Sequence, residues 1–116
     1  MRPTRFSTRH YSNRQEKAVA KAVGGKQTAN SGATDFFKGD VTIGNEWLLE
    51  CKTVMTEKQS FSIKRAWLEK NEEERFAMGK DYSALCFDFG DNGKRYYVID
   101  EPLFKRLVDL LKEENI

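Results

Sequence analysis

The chain has 116 residues, of which 39% are hydrophobic and 33% charged, and its formal net charge is +2. This length corresponds to a single domain, and the composition is that of a globular protein and excludes a disordered chain. No apolar run approaches the ~18 residues that a membrane-spanning helix needs. The first residues lack the apolar stretch of a signal peptide, which predicts a cytoplasmic protein, in the host-cell cytoplasm if a phage encodes it.

The predicted organisation is a basic arm over residues 1–12 followed by one domain over residues 13–116. Arg2, Arg5 and Arg9 lie in the arm and Arg14 follows it, with aromatic residues between them and no acid. Basic segments with interleaved aromatic residues are typical of contacts to nucleic-acid phosphates and bases. A frayed, well-solvated terminus explains the same composition equally well.

A first helix is predicted from about residue 13 to residue 23. Ser12 and Gln15 match a capping box, and two glycines follow the segment where helices commonly end. Its apolar stripe consists of Val19, Ala20 and Val23. Glu16 lies on the same stripe, so we expect its side chain to face the body of the protein.

Residues 26–39 are interpreted as a short strand and a loop, and residues 38–53, KGDVTIGNEWLLECKT, as two strands joined by a Gly44-Asn45 turn. Side chains alternate across a strand, so Leu48, Glu50 and Lys52 share one face of the second strand. The opposite face is also apolar, which predicts a sheet covered on both sides. Asp40 begins the first strand and approaches Glu50 when the two strands pair.

The remaining segments complete an α/β pattern. A helix is predicted over about 63–78 with Ser62 as its cap, and its run EKNEEER at 69–75 is interpreted as a solvent-exposed face containing a Lys70–Glu74 pair. The segments YSALCFDFG and KRYYVID read as a hairpin of two strands. Asp100 is expected to cap a last helix. The predicted order is α-β-β-β-α-β-β-α with a central mixed sheet flanked by helices, and Cys51 and Cys86 are expected to be buried free thiols.

The acids and the lysine of the predicted hairpin indicate phosphodiester chemistry. Carboxylates about 5 Å apart repel by about 3 kcal/mol, so Asp40 and Glu50 favour either protonation or a bound cation. Carboxylate and carbonyl oxygens are the ligands that Mg²⁺ prefers, and a bound metal activates water for hydrolysis. Lys52 can orient that water or neutralise the phosphate, and Glu16 can complete the metal shell. The alternative is an ordinary Glu50–Lys52 ion pair on a solvated sheet face.

These residues carry a resemblance to a known family. The motif GDV at 39–41, followed ten residues after Asp40 by ECK at 50–52, resembles the PD-(D/E)XK nuclease superfamily. The helical Glu16 and the Ser31-Gly32 pair make the pattern similar to archaeal-type Holliday junction resolvases and their phage relatives. Gly39 stands where the superfamily's proline would be. Asp35 is a rival to Asp40 as the metal ligand.

The resemblance implies a restriction-endonuclease-like core and a Mg²⁺-dependent endodeoxyribonuclease acting on branched DNA, with Mn²⁺ as a substitute metal. Asp40, Glu50 and the backbone carbonyl of Cys51, with Glu16, would bind the metal, and Lys52 would assist the attacking water. A homodimer is expected, since a two-fold symmetric junction needs two active sites. The expected DNA contacts are Arg2, Arg5, Arg9, Arg14, Ser31 and Lys38. The alternatives are a non-catalytic DNA-binding recombination module and a nuclease for linear duplex or single-stranded DNA.

Overall fold

The computed structural model describes residues 8–28, 40–90 and 93–115, with side chains from Ser12 onward. These residues form three helices and one five-stranded sheet, in the predicted order, and the α/β class is confirmed. The elements are α1 (Thr8–Val23), β1 (Lys26–Gln27), β2 (Val41–Ile43), β3 (Trp47–Lys52), α2 (Arg65–Ala77), β4 (Tyr82–Phe87), β5 (Tyr96–Val98) and α3 (Glu101–Glu114).

The sheet is mixed, and its strands lie side by side in chain order. β1, β2 and β3 are antiparallel neighbours, β3 and β4 are parallel, and β5 returns antiparallel to β4. Gly44 has a φ of 56° in the turn between β2 and β3, at the predicted position. Parallel strands need a crossover connection, and α2 provides it. The carboxyl ends of β3 and β4 therefore lie together at one edge of the sheet.

The two faces of β3 are both buried, as its sequence predicts. On one face Leu49 and Cys51 pack in a core with Val19 of α1 and with Cys86 of β4. On the other face Leu48 is fully buried, and α2 packs against β3 and β4. Both cysteines are buried free thiols, as expected. The sheet thus lies between α1 and α2, which places Glu50 beneath a helix rather than on a solvated surface.

Two predicted helix starts are wrong. α1 begins at Thr8, so Ser12 lies inside the helix and does not cap it. Ser and Gln are both tolerated in a helix interior, so the capping-box pattern does not by itself show where a helix begins. α2 begins at Arg65 after Lys64, whose side chain makes no capping hydrogen bond, and Ser62 is therefore not its cap. Phe61 stacks on Phe87 with ring centroids 4.8 Å apart, which holds this connection against the sheet before the helix begins.

The polar face predicted for α2 is only partly exposed. Lys70 and Glu74 form the expected pair at 3.7 Å, but Asn71 and Glu74 are buried, so the interpretation of residues 69–75 as a solvated face is wrong for these two. Asn71 Nδ2 donates a hydrogen bond to the carbonyl oxygen of Ala84 at 3.2 Å, which explains why a polar residue faces the sheet.

The last helix begins as predicted. Asp100 accepts a hydrogen bond from the N–H of Leu103 at 3.0 Å, and a proline follows in the first turn. Leu103 is the buried residue of α3, whereas Phe104 and Leu111 are each 60% exposed. In the part of the chain that the structure describes, no helix combines the length and apolar character that crossing a membrane requires.

Candidate functional site

Asp40 immediately precedes β2 and is fixed by three hydrogen bonds. Its N–H donates to the carbonyl oxygen of Leu49 at 2.9 Å, and its own carbonyl oxygen accepts from the N–H of Thr28 at 3.0 Å. Its side-chain Oδ2 accepts from the N–H of Cys51 at 2.7 Å. The carboxylate therefore accepts a hydrogen bond from the backbone of β3.

Glu50 lies within electrostatic range of this carboxylate, on the face of the sheet that α2 covers. Only 8% of the residue is exposed. Lys52 Nζ lies 3.5 Å from Glu50 Oε2, so one carboxylate oxygen has a cationic partner. The other oxygen, Oε1, is buried and has no hydrogen-bond partner among the described residues. An unsatisfied buried carboxylate oxygen is costly, and a cation is one group that satisfies it.

Glu16 reaches the same place from α1. It is half-buried, and Gln27 Nε2 donates a hydrogen bond to its Oε1 at 3.3 Å. Glu16 also lies close enough to Asp40 for its charge to raise the pKa of that carboxyl group. The prediction that Glu16 faces the body of the protein is therefore confirmed, and Glu16 meets Asp40 there.

The two buried carboxyl groups have strongly raised pKa values. Burial raises the pKa of Asp40 to about 7, although the hydrogen bond from the N–H of Cys51 lowers it. The charge of Glu16 adds to the rise. Burial raises the pKa of Glu50 to about 7 as well, and the negative charge of Asp40 is the next cause. Lys52 lowers both values without offsetting burial. Near neutral pH the pair is therefore poised between protonated and ionised forms, a condition that a bound cation would shift toward ionisation.

Lys52 is held on two sides. Its Nζ lies 3.5 Å from Glu50 and 4.5 Å from the centroid of the Trp67 ring, and 28% of its side chain is exposed. A cation over the face of an indole ring is attracted by the ring's quadrupole. The ammonium group is thus fixed beside the carboxylates while it remains accessible from solvent. Of the four residues that the sequence predicted as catalytic, Glu16, Glu50 and Lys52 each lie within electrostatic range of Asp40.

A polar network behind Lys52 was missed at the level of sequence. Gln15 and Asp88 are both buried. Gln15 Nε2 donates to the carbonyl oxygen of Lys52 at 2.7 Å and to Asp88 Oδ2 at 3.0 Å, and Thr53 Oγ1 donates to Asp88 Oδ1 at 2.9 Å. The network fixes the backbone where β3 ends. Its sequence signal is weak but present, because Gln15 precedes Val19 by one helical turn and Asp88 directly follows a buried strand.

α2 also contributes charges to the site. The charge of Lys70 lowers the pKa of Glu50 and that of Glu74 raises it, in both cases less than burial and Asp40 do. Glu74 itself has a buried Oε1 without a hydrogen-bond partner in the described part of the chain. These residues belong to the run that the sequence interpretation assigned to solvent, so the electrostatic role of α2 was not predicted.

Most of the predicted DNA contacts cannot be placed. Residues 1–7 and 29–39 lie outside the described residues, and so does the side chain of Arg9. The roles predicted for the residues concerned therefore stay predictions. These residues are Arg2, Arg5, Arg9, Ser31, Asp35 and Lys38. Arg14 is exposed on α1 and lines a small recess with Thr53, Asp88 and Arg95. It therefore lies at the same end of the sheet as Lys52.

The ligand set available to a metal is small. Within residues 12–28, 40–90 and 93–115, no group of three or more His, Cys, Asp and Glu side chains is arranged to hold a metal ion. The set implied by the resemblance has three carboxylates, Asp40, Glu50 and Glu16, which do not form such a group, and the backbone carbonyl of Cys51. Oxygen donors of this type suit Mg²⁺, which keeps several of its waters. The unpartnered Glu50 oxygen and the raised pKa of both acids fit such an ion.

Comparisons of the chain with protein-family models, with curated proteins and with solved structures found no significant match. The functional interpretation therefore rests on the residues and their geometry.

Proposed function

We propose that this protein is a Mg²⁺-dependent endodeoxyribonuclease of the PD-(D/E)XK type that hydrolyses phosphodiester bonds in branched DNA. One observation carries the proposal. Glu50 is buried within electrostatic range of Asp40, one of its carboxylate oxygens has no hydrogen-bond partner among the described residues, and Lys52 lies 3.5 Å from the other oxygen. An ordinary solvated ion pair has no reason to be buried with an unsatisfied oxygen, because exposed pairs contribute only about 0–1 kcal/mol.

The topology supports the same proposal at the level of the fold. An antiparallel hairpin carries Asp40, Glu50 and Lys52, a parallel strand lies beside it, and helices cover both faces of the sheet. This is the arrangement expected of a restriction-endonuclease-like core, with the acids where β2 and β3 meet.

Asp40, Glu50 and the carbonyl of Cys51 are the residues that would hold the metal, with Glu16 beside Asp40. When bound there, Mg²⁺ supplies an activated water and positive charge next to the reacting phosphate. The protein contributes the rest. The ammonium group of Lys52 can neutralise charge that grows on the phosphoryl oxygens or hydrogen-bond the attacking water, and burial of Glu50 strengthens these interactions by excluding bulk water.

The proposed substrate is a DNA branch point, and the proposed assembly is a homodimer, because cutting both strands of a two-fold symmetric junction needs two equivalent sites. Arg14 lies near the carboxyl ends of β3 and β4, where it could contact a phosphate beside the scissile strand. Phosphate contacts supply affinity without sequence preference, which suits recognition of branch shape.

The test compares four-way junction, linear duplex and single-stranded DNA at one salt concentration. Wild-type protein with Mg²⁺ is expected to cleave the junction, and Glu50→Ala and Lys52→Ala are expected to abolish cleavage while junction binding stays measurable. Glu69→Ala, at an exposed acid of α2, is the control and should cleave normally. Cleavage retained in both site variants would discard the assignment.

Two other outcomes would redirect the proposal. Equal cleavage of linear duplex or single-stranded DNA would favour a general nuclease over a junction-selective one. Titration of the wild-type protein with Mn²⁺ in a calorimeter should give a binding signal that Glu50→Ala loses. DNA binding with no Mn²⁺ signal would favour a non-catalytic recombination module.

A further inference from the structure

Two ammonium groups lie near the ring of Trp67, at the edge of the proposed active site. Lys52 Nζ lies 4.5 Å from the centroid of its ring, and Lys64 Nζ lies 5.6 Å from the same centroid. Lys52 ends β3, whereas Lys64 immediately precedes α2, so the two cations come from separate parts of the fold. Both distances fall within the range of about 6 Å in which the ring attracts a cation.

The ring is held in place by other aromatic residues. The centroid of Phe61 lies 6.1 Å from that of Trp67, and Phe61 stacks in turn on Phe87 at the end of β4. Trp67 is itself half-buried and lies in the first turn of α2. The indole is therefore a supported surface rather than a mobile side chain, and it can orient what lies on it.

The charges on this ring are only partly neutralised. Lys52 has Glu50 as an acidic partner at 3.5 Å. Lys64 is exposed and forms no ion pair with any Asp or Glu of the described residues. Two like charges drawn to one ring repel each other, and an anion close to both would offset that repulsion. The substrate proposed above presents such anions, because each of its nucleotides carries a phosphodiester group.

We propose that Trp67 positions Lys52 and Lys64 as a phosphate-binding pair. Lys64 binds a phosphodiester group of the DNA next to the scissile one, and Trp67 is a positioning residue that acts through both lysines. This inference rests on the proposed nuclease function. It adds to that function a substrate-binding residue and the residue that orients it, neither of which the D-x(9)-E-x-K pattern contains.

The first experiment measures junction binding without cleavage, in EDTA, over a series of salt concentrations. Lys64→Met is expected to weaken binding about 3- to 10-fold and to reduce the slope of log K against log[salt] by about 0.9, the value for one lost phosphate contact. Lys58→Met is the matched control, since Lys58 is an exposed lysine of the same connection and is not one of the two lysines over the Trp67 ring. Its affinity and slope should equal those of the wild type.

The second experiment tests, without any DNA, whether the Trp67 ring positions the two lysines. Acetylation of individual lysines is followed by mass spectrometry in wild type, Trp67→Phe and Trp67→Leu. Trp67→Leu should speed the modification of Lys52 and Lys64 several-fold and leave Lys58 unchanged, whereas Trp67→Phe, which keeps an aromatic face, should stay near the wild type. Single-turnover cleavage should follow the same order at an unchanged melting temperature.

The outcomes separate the two proposals. A wild-type protein that binds the junction, with Lys64→Met indistinguishable from Lys58→Met, overturns the phosphate site and leaves the nuclease proposal standing. Equal lysine reactivity in Trp67→Phe and Trp67→Leu overturns the positioning role of the ring. A wild-type protein that neither binds nor cleaves DNA overturns the proposed function and the phosphate site with it.

Discussion

Replacing Glu50 with glutamine should stabilise the protein at alkaline pH while it inactivates the proposed site. Burial raises the pKa of Glu50 from 4.5 to about 7 in the folded state. Keeping this carboxyl group ionised at pH 8 therefore lowers the free energy of unfolding by about 3 kcal/mol. Glu50→Gln removes the charge, retains the shape and is expected to recover most of that amount.

The sign follows from proton linkage. The folded pKa lies above the unfolded one, so the folded state binds more protons between about pH 4.5 and pH 7, and stability falls as pH rises through this window. Asp40, raised from 3.8 to about 7, adds a loss of the same sign. The gain from Glu50→Gln should therefore be near zero at pH 4 and complete by pH 8.

Thermal and urea unfolding in metal-free buffer measure this difference. For a chain of this length, about 3 kcal/mol corresponds to a rise of about 10 °C in the melting temperature at pH 8. The control is Glu72→Gln, because a hydrogen bond from Arg75 lowers the pKa of Glu72. That variant should lose a little stability at pH 8, the opposite sign. A Glu50→Gln protein that is destabilised at pH 8, or equally changed at pH 4 and pH 8, would refute the reasoning.

Three further predictions concern single side chains. Gln15→Ala removes two hydrogen bonds from a buried network and should lower the free energy of unfolding by about 1–3 kcal/mol in urea titrations, whereas Gln27→Ala, at a less buried site, should change it by less than about 1 kcal/mol. Leu49→Ala empties a core position that is 2% exposed and should cost about 3 kcal/mol, seen as a lower urea midpoint at an unchanged slope. Lys64→Asp supplies the missing cap of α2 and should raise the free energy of unfolding by about 1 kcal/mol while it weakens junction binding. A variant that is not stabilised and binds the junction as tightly as the wild type would contradict both assignments.

Local patterns in the sequence predicted the fold well where several neighbouring residues follow the same pattern. The double-sided apolar character of β3 predicted burial on both faces, and Leu48 and Leu49 are both buried. The cap of α3 at Asp100 was also predicted, because its hydrogen-bond partner lies three residues away along the chain. Such features depend on neighbours in sequence, and the sequence states them directly.

The parts of the site that were missed depend on contacts between distant segments. Gln15 bonds to a carbonyl 37 residues away and to an acid 73 residues away, and its helical spacing to Val19 indicates burial without identifying either partner. Trp67 was not predicted as a functional residue, since its position over Lys52 follows from the crossover between parallel strands. The charged run of α2 misled for a related reason. Polar and charged side chains favour solvent unless the fold provides partners, and the sheet provides one for Asn71.

The hydrogen bond between the N–H of Cys51 and Asp40 Oδ2 has a practical consequence for mutagenesis. Because this carboxylate completes the backbone pairing of β3, Asp40→Ala would take away a strand acceptor together with a negative charge. Lost cleavage in that variant could then report a loosened sheet edge as readily as missing chemistry. Asp40→Asn, whose amide oxygen can still accept from the same N–H, is the substitution that isolates the charge.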